Sequence, residues 1–342
     1  MPRTRPIRSR PVRGAAIALL VFCTALCAAA DKKTQQLKLA GPRATALRIT
    51  WLYIQPDSSS QKVTQVQIGR EMVVSEKSGP WLSVEANTDV QEVSGNDAPL
   101  FGNPDAPPPL SGWVEAKGIV EETTPNGDQV LMGAAANEEM LASDPRGPAN
   151  AARAAELLYR RLYEMFPNSP LAPEAQWRAA DIQWQIQKAD ISSLPSSKAR
   201  DPYMHEQMDE TALRKVVRLY PRTRWAALAA FDLIDNKLCG DWEGSTKCPE
   251  RESDLYEKYA SDYPDGPRTA QALYDAAYRQ AVLANMYSAN GDDNKSKSAI
   301  DHTRQLAEEL KQHFAGTDYA WRAGALVYKL DQGIPVYGID QG

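Results

Sequence analysis

A short phrase that starts with an aromatic residue recurs four times in the second half of the chain. Its copies read Phe-Pro-Asn-Ser, Tyr-Pro-Arg-Thr, Tyr-Pro-Asp-Gly and Phe-Ala-Gly-Thr, and they start at Phe166, Tyr220, Tyr263 and Phe314. The second position is proline in the first three copies, at Pro167, Pro221 and Pro264. Proline ends a helix because it lacks the backbone N–H and forces its predecessor out of the helical conformation. Each phrase is therefore expected to end one helix and to begin the turn into the next.

The spacing around these phrases is also repeated, which indicates helices paired in series. A large apolar residue comes four positions before each aromatic, at Leu162, Val216, Tyr259 and Leu310. An alanine comes nine positions after each aromatic, at Ala175, Ala229, Ala272 and Ala323. We expect the aromatic to fill the contact between paired helices and the alanine to let the next helix approach closely. Trp177 and Trp184 share one helical face, and they either pack in the core or line a ligand groove.

These units resemble tetratricopeptide repeats, particularly the divergent kind in bacterial envelope proteins that assemble or scaffold outer-membrane and cell-wall machinery. The first unit matches best. It has the family's small residue at Ala155, the aromatic residue at Tyr159, the proline at Pro167 and the small residue of the following helix at Ala180. Later units depart from the pattern, since Leu213 and Ala307 replace the aromatic and Ala315 replaces the proline. The intervals between phrases exceed the family's repeat of about 34 residues, so insertions are expected near 190–203, 237–251 and 290–297. The resemblance implies an all-α array over residues 151–335 whose concave face binds an envelope protein partner.

Residues 46–87 instead show the alternation of apolar and polar side chains that is typical of β-strands. The first expected strand, 46–54, carries four apolar side chains on one face, namely Leu47, Ile49, Trp51 and Tyr53. Further strands are expected at 63–67, 72–74, 81–84, 112–114 and 119–120. A polar, proline-rich insertion, 88–111, interrupts them. Because turn residues separate these short strands, the pattern predicts a small antiparallel barrel over residues 46–122.

The order of these pieces resembles a bacterial Src-homology-3-type (SH3-like) domain. The matching pieces are 46–54, 63–69, 72–76, Gly79-Pro80-Trp81 and Gly112-Trp113-Val114. Pro80 inside the Gly-Trp pair and the long insertion before Trp113 depart from the family pattern. The resemblance implies affinity for peptidoglycan or a peptide. Tyr53, Trp81 and Trp113 either line the groove where such barrels bind peptides or fill the small core.

The two resemblances together define the expected fold class. The chain is predicted to be multidomain, with a small all-β SH3-like barrel followed by an all-α tetratricopeptide-like helical array. Residues 31–45 are expected to be a linker and 336–342 a C-terminal tail. Residues 123–150, rich in Gly, Asn, Pro and Ala, are expected to be a second linker with at most a short helix near Glu138. That second linker is therefore predicted to be the preferred proteolytic target.

The first thirty residues have the three parts of a secretory signal peptide. Five arginines and no acidic residue precede an apolar run, 15–30, and the polar Asp31 follows. Ala28 and Ala30 are the small residues expected before a cut at Asp31. The protein is therefore predicted to be exported to the periplasm or cell envelope. Membrane attachment would require either an uncleaved signal or a lipidated Cys27. The apolar run is shorter than the ~20 residues of a spanning helix, which disfavours the first alternative. The large residue before Cys27 disfavours the second.

Cleavage of the signal would remove five positive charges and change the net charge from −5 to −10. Such acidity disfavours nucleic acid and anionic membrane surfaces as partners. The remaining cysteines, Cys239 and Cys248, flank a short glycine-containing loop. In an oxidising compartment this pair is predicted to form a disulfide. A zinc site would need about four ligands, and neither another cysteine pair nor a nearby histidine is present.

The sequence contains no catalytic motif: no glycine-rich phosphate loop, no Gly-x-Ser-x-Gly and no His-Glu-x-x-His. The histidines are His205, His302 and His313. The last two lie about 16 Å apart along a helix, too far to share a metal, and are expected on the helix surface. We therefore predict a non-catalytic envelope scaffold without cofactor or metal. The alternative is a cell-wall hydrolase, or a subunit of one, with an unrecognised site.

Overall fold

The computed structural model describes residues 41–87, 109–193, 207–239, 242 and 244–337. An antiparallel sheet forms the first part of this region and a series of helices the second. This organisation agrees with the expected two-part, multidomain fold class. Several predictions lie outside the described residues: those on the signal peptide, most of the first linker, the insertion up to residue 108, His205 and the end of the C-terminal tail.

In the described residues, the sheet has seven strands: β1 Arg43–Ala46, β2 Thr50–Tyr53, β3 Lys62–Val66, β4 Glu71–Ser78, β5 Trp81–Ala86, β6 Leu110–Glu115 and β7 Ile119–Glu121. Their order across the sheet is β3-β2-β6-β5-β4-β1-β7, and all pairs are antiparallel. The sheet begins three residues before the expected start of the β-rich region, because β1 pairs with both β4 and β7.

The sheet surrounds one apolar core, and this explains the alternation along its strands. In β5, Leu82, Val84 and Ala86 are buried while the residues between them are half-buried. Five other strands complete the core with Ala44, Ala46, Leu52, Val66, Met72, Val74 and Val114. At Gly112 an added Cβ would lie 2.6 Å from the Leu52 side chain. Glycine is therefore needed there for β6 to approach β2.

The first expected strand, 46–54, is shorter in the structure, where β2 covers only Thr50–Tyr53, and its Trp51 and Tyr53 lie on the side away from the apolar core. Thr50 and Leu52 are buried, whereas Ile49 and Trp51 are exposed. The chain turns directly before β2, and the register of β2 against β3 shifts between Leu52 and Tyr53. The extra residue of this irregularity, Val63, lies on β3, so β2 keeps its alternation, and Tyr53 is buried on the outer face against the Trp81 ring.

In the described part of the chain, nine α-helices follow: α1 Gly127–Ala142, α2 Ala151–Met165, α3 Ala172–Ser193, α4 Thr211–Leu219, α5 Arg224–Asp232, α6 Lys247–Asp262, α7 Thr269–Ala289, α8 Asp293–His313 and α9 Asp318–Asp331. Successive helices pack in pairs, and α7 contacts α6, α8 and α9. The insertion expected near 290–297 is absent from this described segment. The extra length lies instead in α7 and α8, which have 21 residues each.

Each of the four aromatic phrases ends the first helix of a pair. Phe166, Tyr220, Tyr263 and Phe314 directly follow α2, α4, α6 and α8. In all four, the aromatic backbone N–H donates to the carbonyl four residues earlier, at Leu162, Val216, Tyr259 and Leu310, whose side chains are buried. The repeated alanines are all fully buried, at Ala175, Ala229, Ala272 and Ala323. A residue this small lets the second helix pack closely at that position.

In the second and fourth phrases, the fourth residue caps the start of the second helix, a role that was not predicted. Thr223 and Thr317 are N-cap residues whose hydroxyls accept the backbone N–H three positions later. Each hydroxyl also donates to the carbonyl of the phrase's aromatic residue, at 2.7 Å. Threonine is a preferred N-cap, so the signal was present in the sequence.

Helix α1 lies in the segment expected to be a linker, so that prediction was wrong. Its Leu131 and Ala135 are fully buried and belong to one cluster with Val120 of β7 and residues of α2. This helix is difficult to predict from the sequence, because only a narrow stripe of its surface is buried and because glycine and asparagine lie among its polar residues. Proteolysis is now expected in the connection 143–150 rather than across the whole segment.

The sheet and the helices are joined through α2. Gly69, in the turn before β4, has a φ of 78°, and an added Cβ would lie 2.5 Å from the Cβ of Leu157 in α2. Glycine therefore satisfies both the backbone conformation and the close approach. Next to it, the Glu71 carboxylate of β4 contacts Arg161 of α2 at 3.2 Å, and Arg43 of β1 contacts Glu164 of α2 at 2.7 Å.

Candidate functional site

Tyr53, Trp81 and Trp113 lie together on the sheet, on neighbouring strands. Trp113 of β6 is directly opposite Tyr53 of β2 on one side and Ser83 of β5 on the other. The rings of Tyr53 and Trp81 meet edge to face, with centroids 5.4 Å apart. None of the three belongs to the apolar core cluster, and both tryptophans are half-buried. The three residues therefore form an aromatic patch on the side of the sheet opposite to its core.

Further apolar and polar groups adjoin this aromatic patch. Trp51 and Ile54, on either side of Tyr53 in the chain, are exposed, and the Lys62 ammonium lies 4.6 Å from the Trp51 ring centroid. On β5, the hydroxyl of Ser83 is 3.0 Å from that of Ser75. Aromatic faces beside hydroxyl groups can bind ligands that combine apolar and hydrogen-bonding surface, such as sugars or peptides.

A groove of about 360 Å³ lies between α6, α7 and α8. Two acidic residues of α6, Glu250 and Asp254, line one side. The α8 side contributes Lys295, Ser298, Ala299 and His302, and α7 contributes Gln280, Leu283 and Tyr287. The two outer helices therefore present side chains of opposite charge to the same space.

Hydrogen bonds hold the polar side chains of this groove in place. Nε2 of His302 lies 3.0 Å from the carboxylate of Glu257, which raises the pKa of His302. The Ser253 hydroxyl donates to the other Glu257 oxygen at 2.9 Å. Burial raises the pKa of Glu257, but the hydrogen bonds from His302 and Ser253 outweigh this effect and lower it. The contact between His302 and Glu257 thus links α8 to α6 beside the groove.

Tyr287 contacts both charged sides of the groove. Its hydroxyl donates to the Glu250 carboxylate, and the Lys295 ammonium lies 5.2 Å from its ring centroid. Burial, and next the hydrogen bond to Glu250, raise the pKa of Tyr287 to about 12. Tyr287 therefore stays a neutral donor and fixes the Glu250 carboxylate at the groove.

Ser253 lies next to the groove, where it contacts Glu257 and Gln280. Ser253 is fully buried, donates its hydroxyl to Glu257 and accepts a hydrogen bond from Gln280 at 2.9 Å. It thus positions the carboxylate and is not held by His302 as a nucleophile would be. The groove can bind a ligand segment through charge pairs and hydrogen bonds.

This groove was not predicted from the sequence. His302 was expected on the helix surface, whereas its side chain is half-buried and paired with Glu257, 45 positions earlier. His313, in the last turn of the same helix, is exposed as expected. Contacts over such separations depend on how α6 and α8 pack, and spacing along the chain gives no signal for them.

Trp177 and Trp184 have different surroundings. Trp184 is buried in the core formed by α3, α4 and α5, so the core interpretation holds for it. Trp177 is half-buried and stacks on Trp225, with ring centroids 5.2 Å apart. Neither residue lines the groove between α6, α7 and α8.

Two half-buried carboxyl groups, those of Asp232 and Asp275, lie on the second helices of the pairs. Burial, followed by the nearby charges of Asp181 and Asp235, raises the pKa of Asp232 to about 7. Burial also raises the pKa of Asp275, on α7, to about 6, although Arg279 opposes the shift. These groups therefore make the stability of the helical part depend on pH between weakly acidic and neutral conditions.

The predicted disulfide between Cys239 and Cys248 is confirmed. Trp242, inside the loop, packs against Tyr278 of α7 and Tyr337 after α9, with ring centroids 6.3 and 5.6 Å away. The disulfide loop is thus tied to α7 and to the C-terminal end of the helical part.

The sequence matches no family model and no curated protein. None of the helices in the described ranges combines the length and apolarity of a transmembrane segment. Across those same ranges, His, Cys, Asp and Glu side chains form no group of three that could hold a metal ion.

Proposed function

We propose that the protein is a non-catalytic binding protein of the cell envelope, exported by its N-terminal segment, whose helices hold a segment of a protein partner. The observation that carries this proposal is the groove between α6, α7 and α8. Asp254 and Glu250 on one side and Lys295 and His302 on the other fit a peptide segment that carries both charges. The partner's ammonium or guanidinium groups pair with α6, and its carboxylates pair with α8.

The helical phrases support this assignment. Their resemblance to tetratricopeptide repeats of envelope scaffolds agrees with helices that pack pairwise, each pair turning at an aromatic residue. We assign the helical part to that repeat class on these grounds. A series of helix pairs presents an extended surface to a partner, which suits an assembly role.

The sheet provides a second contact in this proposal. We assign it to the SH3-like barrels because its strands surround one core and carry the Gly-Trp pieces of that family. Its aromatic patch, formed by Tyr53, Trp81 and Trp113, binds peptidoglycan or a peptide. The sheet is joined to α2 by ion pairs, so both contacts belong to one compact unit of the chain.

Site-specific photo-crosslinking tests the groove directly. A benzophenone amino acid is placed at Ser298, which is exposed and lines the groove, and in a control at Asp301, one turn along α8 and outside the groove lining. In the producing cells, Ser298 is expected to crosslink to one envelope protein and Asp301 is not. Adding Asp254→Lys should remove the Ser298 adduct, because it reverses the charge of one side.

Two results would contradict the proposal. The same adducts from Ser298 and Asp301 would show that the groove is not selective. Release of soluble fragments from isolated peptidoglycan by the purified protein would instead favour the hydrolase alternative.

A further inference from the structure

The outer face of α9 carries two exposed aromatic side chains at positions where the earlier units have small or buried residues. Five positions after the repeated alanine, the first three units have Ala180, Ile234 and Ala277, with 4%, 4% and 0% of their surface exposed. The last unit has Tyr328 at this position, with 64% exposed. Two positions before the alanine, Ala227 of α5 is buried, whereas Trp321 of α9 is 67% exposed.

A groove of about 540 Å³ adjoins these aromatics, between α8 and α9. Its apolar lining consists of Ala307, Ala315, Ala320, Gly324, Val327 and the side of Trp321 itself. The last unit of a helical stack normally ends in a polar face, because no further unit covers it. Here the end of the stack, which we call the α8–α9 end face, instead carries exposed aromatic residues and an apolar groove between charged residues.

The described residues after α9 do not cover this end face. The Val336 backbone N–H donates to Asn285 of α7 at 2.7 Å, and Tyr337 packs against Trp242 of the disulfide loop. The chain therefore turns back toward α7 after residue 333, and Trp321 and Tyr328 remain exposed.

We propose that the α8–α9 end face binds the same face of a second copy of this chain, related by a two-fold axis. The projecting Trp321 and an apolar groove lie side by side on this face. A two-fold rotation therefore places the indole of each copy over the groove of the other, which gives a closed, self-complementary interface.

The charges around the groove also favour a second copy. Arg304 of α8 pairs with Asp331 of α9 at 2.7 Å, and Lys311 pairs with Glu308 at 3.6 Å. These four charges balance, so a strongly basic or acidic partner gains little here. Two copies of an acidic chain can meet at this balanced face without the repulsion that their net charge of −5 each would cause elsewhere.

The aromatic side chains account for a substantial part of the area that a specific dimer needs. A buried aromatic residue contributes about 150–250 Å², and two copies bring four of them. A standard interface buries about 1,200–2,000 Å² in total. Because the aromatics are already one-third buried, the groove and its charged rim must supply the rest, and we expect a dissociation constant in the micromolar range.

Sedimentation velocity of the full chain tests the dimer. We expect the mass to rise from one to two chains with concentration and then to stop. Trp321→Glu should raise the dissociation constant at least about 30-fold, because a central tryptophan is a typical hot spot. The matched control is Leu219→Glu, which places the same charge on an exposed apolar residue of α4 and should leave the dimer unchanged.

Disulfide trapping tests the two-fold geometry. An added Cβ meets nothing within 4 Å at Gly324 of α9 or at Gly133 of α1, so both positions accept a cysteine. In a chain with Cys23→Ser and Cys27→Ser, mild oxidation should link Gly324→Cys into a dimer and leave Gly133→Cys as a monomer.

Three outcomes would overturn the proposal. One is a wild-type chain that stays monomeric at about 100 µM, a hundred times a micromolar dissociation constant. The second is a mass that keeps growing beyond two chains, which indicates head-to-tail association through different faces. The third is equal loss of the dimer in the Trp321→Glu and Leu219→Glu variants.

Discussion

Glu71 on strand β4 and Arg161 on helix α2 face each other at 3.2 Å, and only 1% of each side chain is exposed. Arg43 of β1 contacts the same Glu71 carboxylate, and it also reaches Glu164 of α2. Burial raises the pKa of Glu164, but Arg161, Arg160 and Arg43 outweigh it and lower this pKa to about 2. This charged cluster connects the first and fourth strands to the first helix of the first pair, so the sheet and the helices are expected to unfold together.

Removal of one partner from this cluster is predicted to destabilise the whole protein. Glu71→Ala leaves Arg161 and Arg43 buried with less compensating charge, and loss of one partner of a buried pair costs about 3–5 kcal/mol. Urea denaturation is followed by tryptophan fluorescence and by the helical circular dichroism signal. Both signals should show a single transition, shifted to lower urea concentration than in the wild type. The control is Glu115→Ala, which breaks the exposed pair with Arg48 and should cost no more than about 1 kcal/mol. Two separate transitions would show that the sheet and the helices are independent.

The elements predicted from sequence are those that depend on local chemistry. Proline after an aromatic residue predicted where α2, α4 and α6 end, because a missing N–H acts within one turn. The phrase at Phe314 lacks the proline, and it still predicted where the last pair of helices turns. The Cys239–Cys248 disulfide followed from a short loop between two cysteines.

The features that were missed depend on packing. Tyr53 is buried although it lies on the outer face of β2, because the ring of Trp81 on β5 packs against it. The groove between α6 and α8 combines side chains such as Asp254 and His302 that are distant in sequence. Helix α1 is stabilised by contacts with α2 rather than by its own propensity, which is why its segment was expected to be a linker.

Asp232 is predicted to make the protein less stable as pH rises. Its pKa is raised to about 7 in the folded protein from an ordinary value of 3.8, so the folded state binds this proton more tightly than the unfolded state. The loss of stability caused by ionisation of the Asp232 carboxyl group is therefore absent below about pH 4 and complete above about pH 7. Asp232→Asn should raise the free energy of unfolding at pH 8 by about 1–3 kcal/mol, since one pKa unit corresponds to about 1.4 kcal/mol.

The measurement for Asp232 is a series of urea denaturation curves from pH 4 to pH 8 on wild type and variant. The difference between them should grow with pH. Asp262→Asn, on the exposed end of α6, is the control and should change stability by less than about 0.5 kcal/mol at every pH. A difference for Asp232→Asn that is constant with pH would contradict the raised pKa.

The imidazole of His302 is predicted to depend on Glu257 for its charge. The hydrogen bond that His302 donates to Glu257 is the largest cause of the raised pKa of His302, and Asp254 contributes less. Glu257→Gln should therefore lower the pKa of His302 clearly, and Asp254→Asn should lower it to a smaller extent. Nitrogen-15 NMR titration of the imidazole rings measures both. An equal effect of the two variants would show that the charge of the whole groove, rather than the ion pair, sets this pKa.

The aromatic patch on the sheet is predicted to carry retention on cell wall. Trp81 is half-buried, its ring packs edge to face on Tyr53, and its backbone pairs with Glu115 in β6. Trp81→Leu keeps an apolar side chain at this place, so the sheet should still fold while the flat aromatic surface is lost. In sedimentation with isolated peptidoglycan, this variant should pellet about tenfold less than wild type, because a well-packed aromatic contact is worth about 0.5–1.5 kcal/mol beyond its buried area. Ile49→Ala, at an exposed apolar position before β2, is the matched control and should pellet like wild type.

Because aromatic contacts are not screened, binding should change little between low and moderate salt. Equal pelleting of both variants, or complete loss of binding at moderate salt, would show that this aromatic surface does not bind the wall.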